Sequence, residues 1–383
     1  MRSFSNIIPN FAANLHLLVD SINLTPDGFF YKNIWNSASV SNIFFNFAGI
    51  NDFGKETAWN GFSGGANHNI DKPKPQYIMT YLEKEIADRL EIMGTYYDLD
   101  ALLQDKTDNK AVAKYYRKSD FFYNLINSRG GFHLHMGLSD DVFFHKEDFL
   151  KQAQFVETLI DKPVMNILEI GAGRLPNTKY LAKKFPQHSF TALDIPNRNF
   201  LKNKVPGNVK LLEGDYHDLS VFPENNFDIV FGVETLSYSA NKERVTKEIA
   251  RVLRPGGKVV FFDIYDAKPQ EEMTDFEKRV SAITLASMRI TPKDQYIGNL
   301  GKYLARNGFK DVEITDLTHA IRPSLRRLDR ICCYYFMHPK FMKFIRHFVS
   351  QDADNNAIGG WLMFLTFDAE NFHQYNRTVA TKI

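Results

Sequence analysis

Cysteine is nearly absent: 383 residues hold two, Cys332 and Cys333, adjacent to each other. Adjacency excludes an ordinary disulfide framework, and no Cys/His spacing suits a structural zinc. No run of about 18 apolar residues exists to cross a bilayer as a helix. The N-terminus lacks the basic-then-apolar pattern of a secretory leader. Charge imbalance is missing as well, and a net charge of +2 makes no electrostatic case for a nucleic-acid partner. No internal repeat is visible. What remains is a chain long enough for one large domain or two ordinary ones, with a soluble, cytoplasmic protein as the default expectation. Aromatic residues are the one excess. The 33 Phe and 17 Tyr point to aromatic-lined surfaces or to a Phe-rich core.

From Met165 to Asp266 the apolar residues fall into an ordered series of short runs. Met165-Asn-Ile-Leu-Glu-Ile170 opens directly into Gly171-Ala-Gly173. A second run ends at Asp194, 21 residues beyond Gly173. A third, Val209 to Asp215, also ends in an acid. Phe227-Asp-Ile-Val-Phe231 follows, and then Arg254-Pro-Gly-Gly-Lys-Val-Val-Phe-Phe-Asp263. Each run reads as a buried parallel strand, and the amphipathic segments between them predict a doubly wound α/β sheet. A glycine-rich turn after the first strand lets the backbone approach a ligand, beside the N–H donors of the next helix. An acid at the tip of the second strand is placed to accept from two ribose hydroxyls. Asp215, at the third tip, can accept from an adenine amino group. Together these predict an adenosine-containing cofactor across the carboxyl ends of the strands.

The order of Leu168-Glu-Ile-Gly-Ala-Gly173, Leu193-Asp194, Glu213-Gly-Asp215, Phe227-Asp228 and Arg251-Val-Leu-Arg-Pro-Gly-Gly257 resembles the class I S-adenosylmethionine-dependent methyltransferases. The resemblance covers roughly residues 111–383. It implies a Rossmann-like sheet of seven strands, with Asp311 to Leu317 as the sixth and Trp361 to Phe367 as the antiparallel seventh. It also implies S-adenosyl-L-methionine held by Glu169, Gly171, Ala172, Gly173, Asp194, Ile195, Asp215 and Tyr216. One departure is clear: Leu175-Pro176 stands where the family's loop has its third glycine.

The chain is expected to divide near residue 108, at the polar run Gln104 to Lys110. Residues 1–108 form a mostly helical accessory domain, with helices over Asn10 to Ile22 and Pro75 to Tyr97 around a Gly/Asn-rich loop. Dimerisation, giving a homo-oligomer, and covering the active site are the two roles open to it. Residues 109–383 form the methyltransferase domain, with a cofactor-binding core over 146–270 and substrate-covering segments over 271–350.

Two features bear on the acceptor. Tyr115 to Tyr123 followed by Gly130-Gly-Phe-His-Leu-His-Met-Gly137 resembles the sterol, tocopherol and prenyl-diphosphate C-methyltransferases. It also resembles the cyclopropane fatty acid synthases through Tyr116, Ser119 and Asp120. That likeness implies Tyr116 and His135 at the cofactor's methionine end; ordinary loop histidines and core tyrosines are the alternative. Glu234 directly follows the fourth strand. Methylation of an alkene creates a carbocation that a carboxylate stabilises and deprotonates, so Glu234 and Tyr116 are the catalytic candidates. A helix cap, or a pair with Arg244, would explain Glu234 equally. The expected acceptor is small and largely apolar, an isoprenoid-type alkene. A natural-product O- or N-methyltransferase using His133, His135 or His217 as base stays open, as does a non-catalytic cofactor-binding subunit. Arg322 to His347 carries seven Arg/Lys against one Asp among aromatics, fit for an anionic headgroup or for a solvated helix face. No resident metal is expected, though a diphosphate acceptor would bring Mg2+ with it.

Overall fold

A computed structural model describes residues 80–104, 133–196, 200–291, 293–347, 349–367 and 372–383. Two compact units are distinguished, Met1–Ala87 and Asp88–Ile383. Of the first, only residues 80–87 are described. They begin the helix α1 (Tyr81–Gly94), where Thr80 and Glu83 cap each other's backbone N–H reciprocally. The expected helix over Asn10 to Ile22 lies outside the described residues.

The second unit continues with α2 (Leu99–Gln104), α3 (Lys151–Glu157), β1 (Asn166–Ile170), α4 (Pro176–Lys184), β2 (Ser189–Asp194), β3 (Val209–Glu213) and β4 (Phe227–Val233). Then come α5 (Lys242–Val252), β5 (Leu253–Asp266), α6 (Asp275–Ser287), α7 (Ile297–Arg306), β6 (Phe309–Asp316), α8 (Thr318–Met337), α9 (Pro339–Arg346), α10 (Gln351–Thr366) and β7 (His373–Lys382). One seven-stranded sheet runs in the order β3-β2-β1-β4-β5-β7-β6. The first five strands are parallel, and β7 runs antiparallel between β5 and β6.

Alternation along the strands feeds two cores. Ile167, Ile229, Phe231, Val260 and Phe262 join one apolar cluster, while Leu168, Ile170, Val230, Val259 and Phe261 join another. Burial on both faces is why the strands read as continuous apolar runs. The strand order reverses at β1, between β2 and β4. There the connecting loops diverge, and α/β sheets open a ligand crevice at the carboxyl ends of the strands.

The seventh strand is not where the apolar run predicts it. Trp361 to Phe367 belongs to α10 and its C-cap, and β7 is His373–Lys382. A short apolar run cannot distinguish a buried helix from a buried strand. Two glycines let α10 enter the core. A Cβ on Gly359 would lie 2.5 Å from Ser287 Oγ, and one on Gly360 would lie 2.6 Å from Cys332 Sγ. β7 escapes notice because polar residues occupy most of it: Gln374, Asn376, Arg377, Thr378 and Thr381.

Candidate active site

The loop after β1 is built by exclusion. Gly171 has φ +62°, and a Cβ there would fall 1.9 Å from Thr235 Oγ1, so only glycine fits. Ala172 N–H donates to Leu193 O (3.1 Å) and Gly173 N–H to Asp194 Oδ2 (2.5 Å), which ties the loop to the end of β2. Where the family's third glycine is replaced by Leu175-Pro176, Leu175 takes the left-handed conformation at φ 67°, and Pro176 starts α4. Proline suits that first helical position because its N–H would have had no partner.

Glu169 is buried and accepts from Asn177 Nδ2 (3.1 Å), Thr178 N (3.1 Å) and the Thr178 hydroxyl. Its carboxylate therefore holds the first turn of α4 against the sheet. Burial pushes its pKa up to about 7, while the bonds from Thr178 and Asn177 pull it back. Asp194 is pushed up to about 6 by burial, opposed by the Gly173 and Ile195 N–H groups. Asp215 stands more open, its side chain 42% accessible. Tyr216 is buried, with its hydroxyl on Thr235 O (3.0 Å). Glu169, the Gly171 to Gly173 loop, Asp194, Ile195, Asp215 and Tyr216 thus all sit at the carboxyl ends of β1, β2 and β3 or in the turns beyond them.

Glu234, directly after β4, takes a conformation few glutamates adopt, with φ 48°. Left-handed backbone costs an L-residue roughly 1–2 kcal/mol and clusters where function requires it. Its N–H donates to Phe262 O (2.7 Å), and its Oε1 accepts from Met136 N (2.6 Å). The Tyr375 hydroxyl lies beside the same carboxyl and interacts with it electrostatically. Gln152 Nε2 closes the ring on Met136 O (2.7 Å) and Tyr375 Oη (3.4 Å). Burial, helped by the nearby charge of Asp263, pushes Glu234 up to about 8 against the opposing effects of the Met136 bond and Tyr375. Neither structural alternative for Glu234 holds. Asn241 caps α5, and Arg244 Nε bonds His217 O (2.7 Å).

Among the histidines, His135 is buried, with Nδ1 3.1 Å from Met136 O and Nε2 enclosed without a partner. Burial drives its pKa down to about 4. His133 stacks on Phe149 (5.0 Å between ring centroids) and is driven down to about 3, by burial first and then by His135. Both are neutral and poor proton acceptors at physiological pH. His217 is committed to Asp215 and Ser239. Tyr116 and the rest of Tyr115 to Phe132 lie outside the described residues. Leu134, just beyond them, comes 3.4 Å from where a Gly173 Cβ would be, so the 133–138 segment reaches the loop after β1. Gln152 and Tyr375 carry no sequence signal: they meet Glu234 only through the fold.

The basic run resolves into internal contacts at several positions. Arg322 lies over Phe364 (4.2 Å) and donates to its carbonyl (3.0 Å). Arg327 is buried over Phe144 (5.3 Å), and Arg346 pairs with Asp354 (3.0 Å). Among the described residues no group of three or more His, Cys, Asp or Glu could hold a metal ion, and no helix is long and apolar enough to cross a membrane.

A parallel sheet with an antiparallel seventh strand, a glycine loop after β1 and acids at the tips of β2 and β3 define the class I methyltransferase fold. Residues 168–261 match the family model described as a methyltransferase domain. Over 233 residues the chain is 26% identical to phosphoethanolamine N-methyltransferase 1 of Arabidopsis thaliana, covering 60% of this chain and 44% of the relative. Over 272 residues it is 28% identical to glycine/sarcosine/dimethylglycine N-methyltransferase of Actinopolyspora halophila, covering 67% of this chain and 44% of the relative. The chain spans less than half the length of these curated relatives. In fold it is similar to geranyl diphosphate C-methyltransferase from Streptomyces coelicolor A3(2), solved with Mg2+, geranyl diphosphate and S-adenosyl-L-homocysteine. The TM-score is 0.51 at 15% identity, covering 72% of this chain and 97% of the other. Residues 168–261 thus carry a methyltransferase domain, set in the fold of the class I S-adenosylmethionine-dependent methyltransferases.

Proposed function

We propose that the chain transfers a methyl group from S-adenosylmethionine to carbon in a small, largely apolar acceptor, an isoprenoid-type alkene. Glu234 carries this reading, as a half-buried carboxyl just beyond β4, held by Met136 N–H beside the Tyr375 hydroxyl, with its proton affinity raised. When bound, S-adenosylmethionine supplies an electrophilic methyl group. The Gly171 to Gly173 backbone and Asp194 would hold its nucleoside, Asp215 its adenine and His135 its methionine end; Ile195 and Tyr216 would flank it. The Asp194 carboxylate at the loop, the accessible Asp215 and the unpartnered His135 Nε2 fit that role.

Glu234 supplies the remaining chemistry. Its carboxylate stabilises the positive charge that appears on the acceptor carbon next to the new bond. One of its oxygens then takes the adjacent C–H proton, and that electron pair restores the double bond. In the ligand-free chain the carboxyl keeps its proton at neutral pH. A cation brought alongside favours ionisation, because opposite charge lowers a carboxyl pKa. A histidine-based O- or N-methyltransferase is disfavoured, since His133 and His135 are held as weak bases and His217 is engaged elsewhere. The N-methyltransferase relatives support a second reading, in which Glu234 takes the proton from an amine acceptor. The test incubates the chain with methyl-labelled S-adenosylmethionine and two acceptor sets, prenyl diphosphates with Mg2+ and small primary or secondary amines. Label in the alkenes is expected. Label confined to the amines would select the second reading.

A further inference from the structure

The turn after β3 and the loop after β4 are joined by a chain of hydrogen bonds. His217 N–H and Nδ1–H both donate to Asp215 Oδ1, at 2.9 and 2.5 Å. On its far side, His217 Nε2 lies 2.7 Å from the Ser239 hydroxyl, whose oxygen also accepts from Asn241 N (3.1 Å). The carboxylate partner requires the proton on Nδ1, and the Ser239 hydroxyl bonds Nε2. Arg244 Nε pins the His217 carbonyl (2.7 Å), and the ring leans on Tyr216 with centroids 4.8 Å apart.

An Asp–His–Ser chain in a hydrolase activates the serine. Here exposure runs the other way. Ser239 is fully buried, whereas the Asp215 side chain is 42% accessible. A nucleophile must meet its substrate, so the accessible aspartate is the working end and the serine is the anchor.

We infer that His217 is a positioning residue for cofactor selection: through its bonds to Asp215 and Ser239 it aims the Asp215 carboxylate at the 6-amino group of adenine, and so sets the preference for adenine over a 6-oxo base. The inference rests on the cofactor site proposed above. A carboxylate fixed as an acceptor rewards an N–H donor and opposes an oxygen in the same place. Without the ring, Asp215 turns toward water and loses its discrimination.

The experiment is calorimetric titration of the full chain with S-adenosylhomocysteine and with S-inosylhomocysteine, alongside melting temperatures. Wild type is expected to prefer the adenine compound by about tenfold or more, as for one hydrogen bond to a charged group. His217→Phe should bring the two affinities within about threefold, mainly by weakening the adenine compound, while His217→Asn, which keeps a donor near Nδ1, should restore the preference. Ser239→Ala keeps the ring but removes its anchor and should give an intermediate preference. It decides the matter if His217→Phe does not fold. Full preference in folded His217→Phe, or in Ser239→Ala when only that variant folds, overturns the inference and leaves the cofactor site standing. Wild type that binds neither compound overturns the site itself, and the inference with it.

Discussion

Replacing Glu234 with Gln keeps the side-chain shape and an oxygen for Met136 N–H, and removes the ionisable group. If Glu234 is the base that takes the proton from a methylated acceptor, turnover should fall by roughly 10²-fold or more, the usual loss for a positioned base. Affinity for S-adenosylhomocysteine should stay within a few-fold, because the effect belongs to the chemical step. Stability responds in the opposite sense. The carboxyl is raised from 4.5 to about 8 in the folded chain, so its contribution is full below pH 4.5 and is lost as pH rises through 8. At 1.36 kcal/mol per pKa unit, the loss is on the order of 4–5 kcal/mol as an upper bound. The Gln variant cannot ionise, so its melting temperature should fall less between pH 6 and 9 than that of wild type. In wild type, kcat/KM should rise with pH toward a plateau above about 8, the value for the free carboxyl. In Glu234→Gln that rise should vanish. Turnover, cofactor affinity and melting temperature measured across this range complete the assay. Near-normal turnover with an unchanged pH profile would refute the reasoning and leave Glu234 as a structural tie between β4 and Met136.

Three further outcomes are expected. Asp194→Ala removes the acceptor of Gly173 N–H and of the proposed ribose contacts, and should weaken S-adenosylhomocysteine binding by roughly 2–3 kcal/mol in calorimetry. His135 is lowered from 6.5 to about 4 by burial, so its stabilising contribution is present above pH 6.5 and is lost as pH falls through 4. His135→Phe should therefore flatten the acid side of the melting profile, and should also weaken cofactor binding if Nε2 meets the methionine end. Gly360→Ala places a Cβ 2.6 Å from Cys332 Sγ. Despite alanine's better helix propensity, it should destabilise the chain by about 1–3 kcal/mol in denaturant unfolding.

The β1 to β5 half of the sheet was legible because its central strands are buried on both faces and its strands are bounded by marked residues: Gly171, Asp194 and Asp215 at their ends, and Arg254 to Gly257 at the start of β5. Each marker answers to a local requirement, such as a positive φ or a tight turn, that leaves its trace in the sequence. The edge strand β6 was legible, expected over Asp311 to Leu317 and found at Phe309–Asp316, but its neighbour β7 was not. β7 carries polar residues along most of a strand sandwiched between two neighbours, while the apolar Trp361 to Phe367 run serves a largely buried helix. For the same reason the position of Glu234 could be read, but not its partners. Gln152 and Tyr375 lie 82 residues before and 141 residues after it, and only the packing of α3 and β7 against the β4 end brings them together. The Asp215–His217–Ser239 chain is partly local. Asp215 and His217 are two residues apart, yet the anchor that gives the pair its meaning comes from the loop after β4.

The most direct test of carbon methylation uses S-adenosylmethionine with a trideuterated methyl group and a prenyl-type alkene acceptor, with mass spectrometry and NMR on the product. The account predicts a CD3 group bonded to carbon, all three deuteriums retained, and one acceptor C–H proton lost. A CD3 group on nitrogen or oxygen, or a product that has lost a deuterium from the transferred methyl, would contradict it.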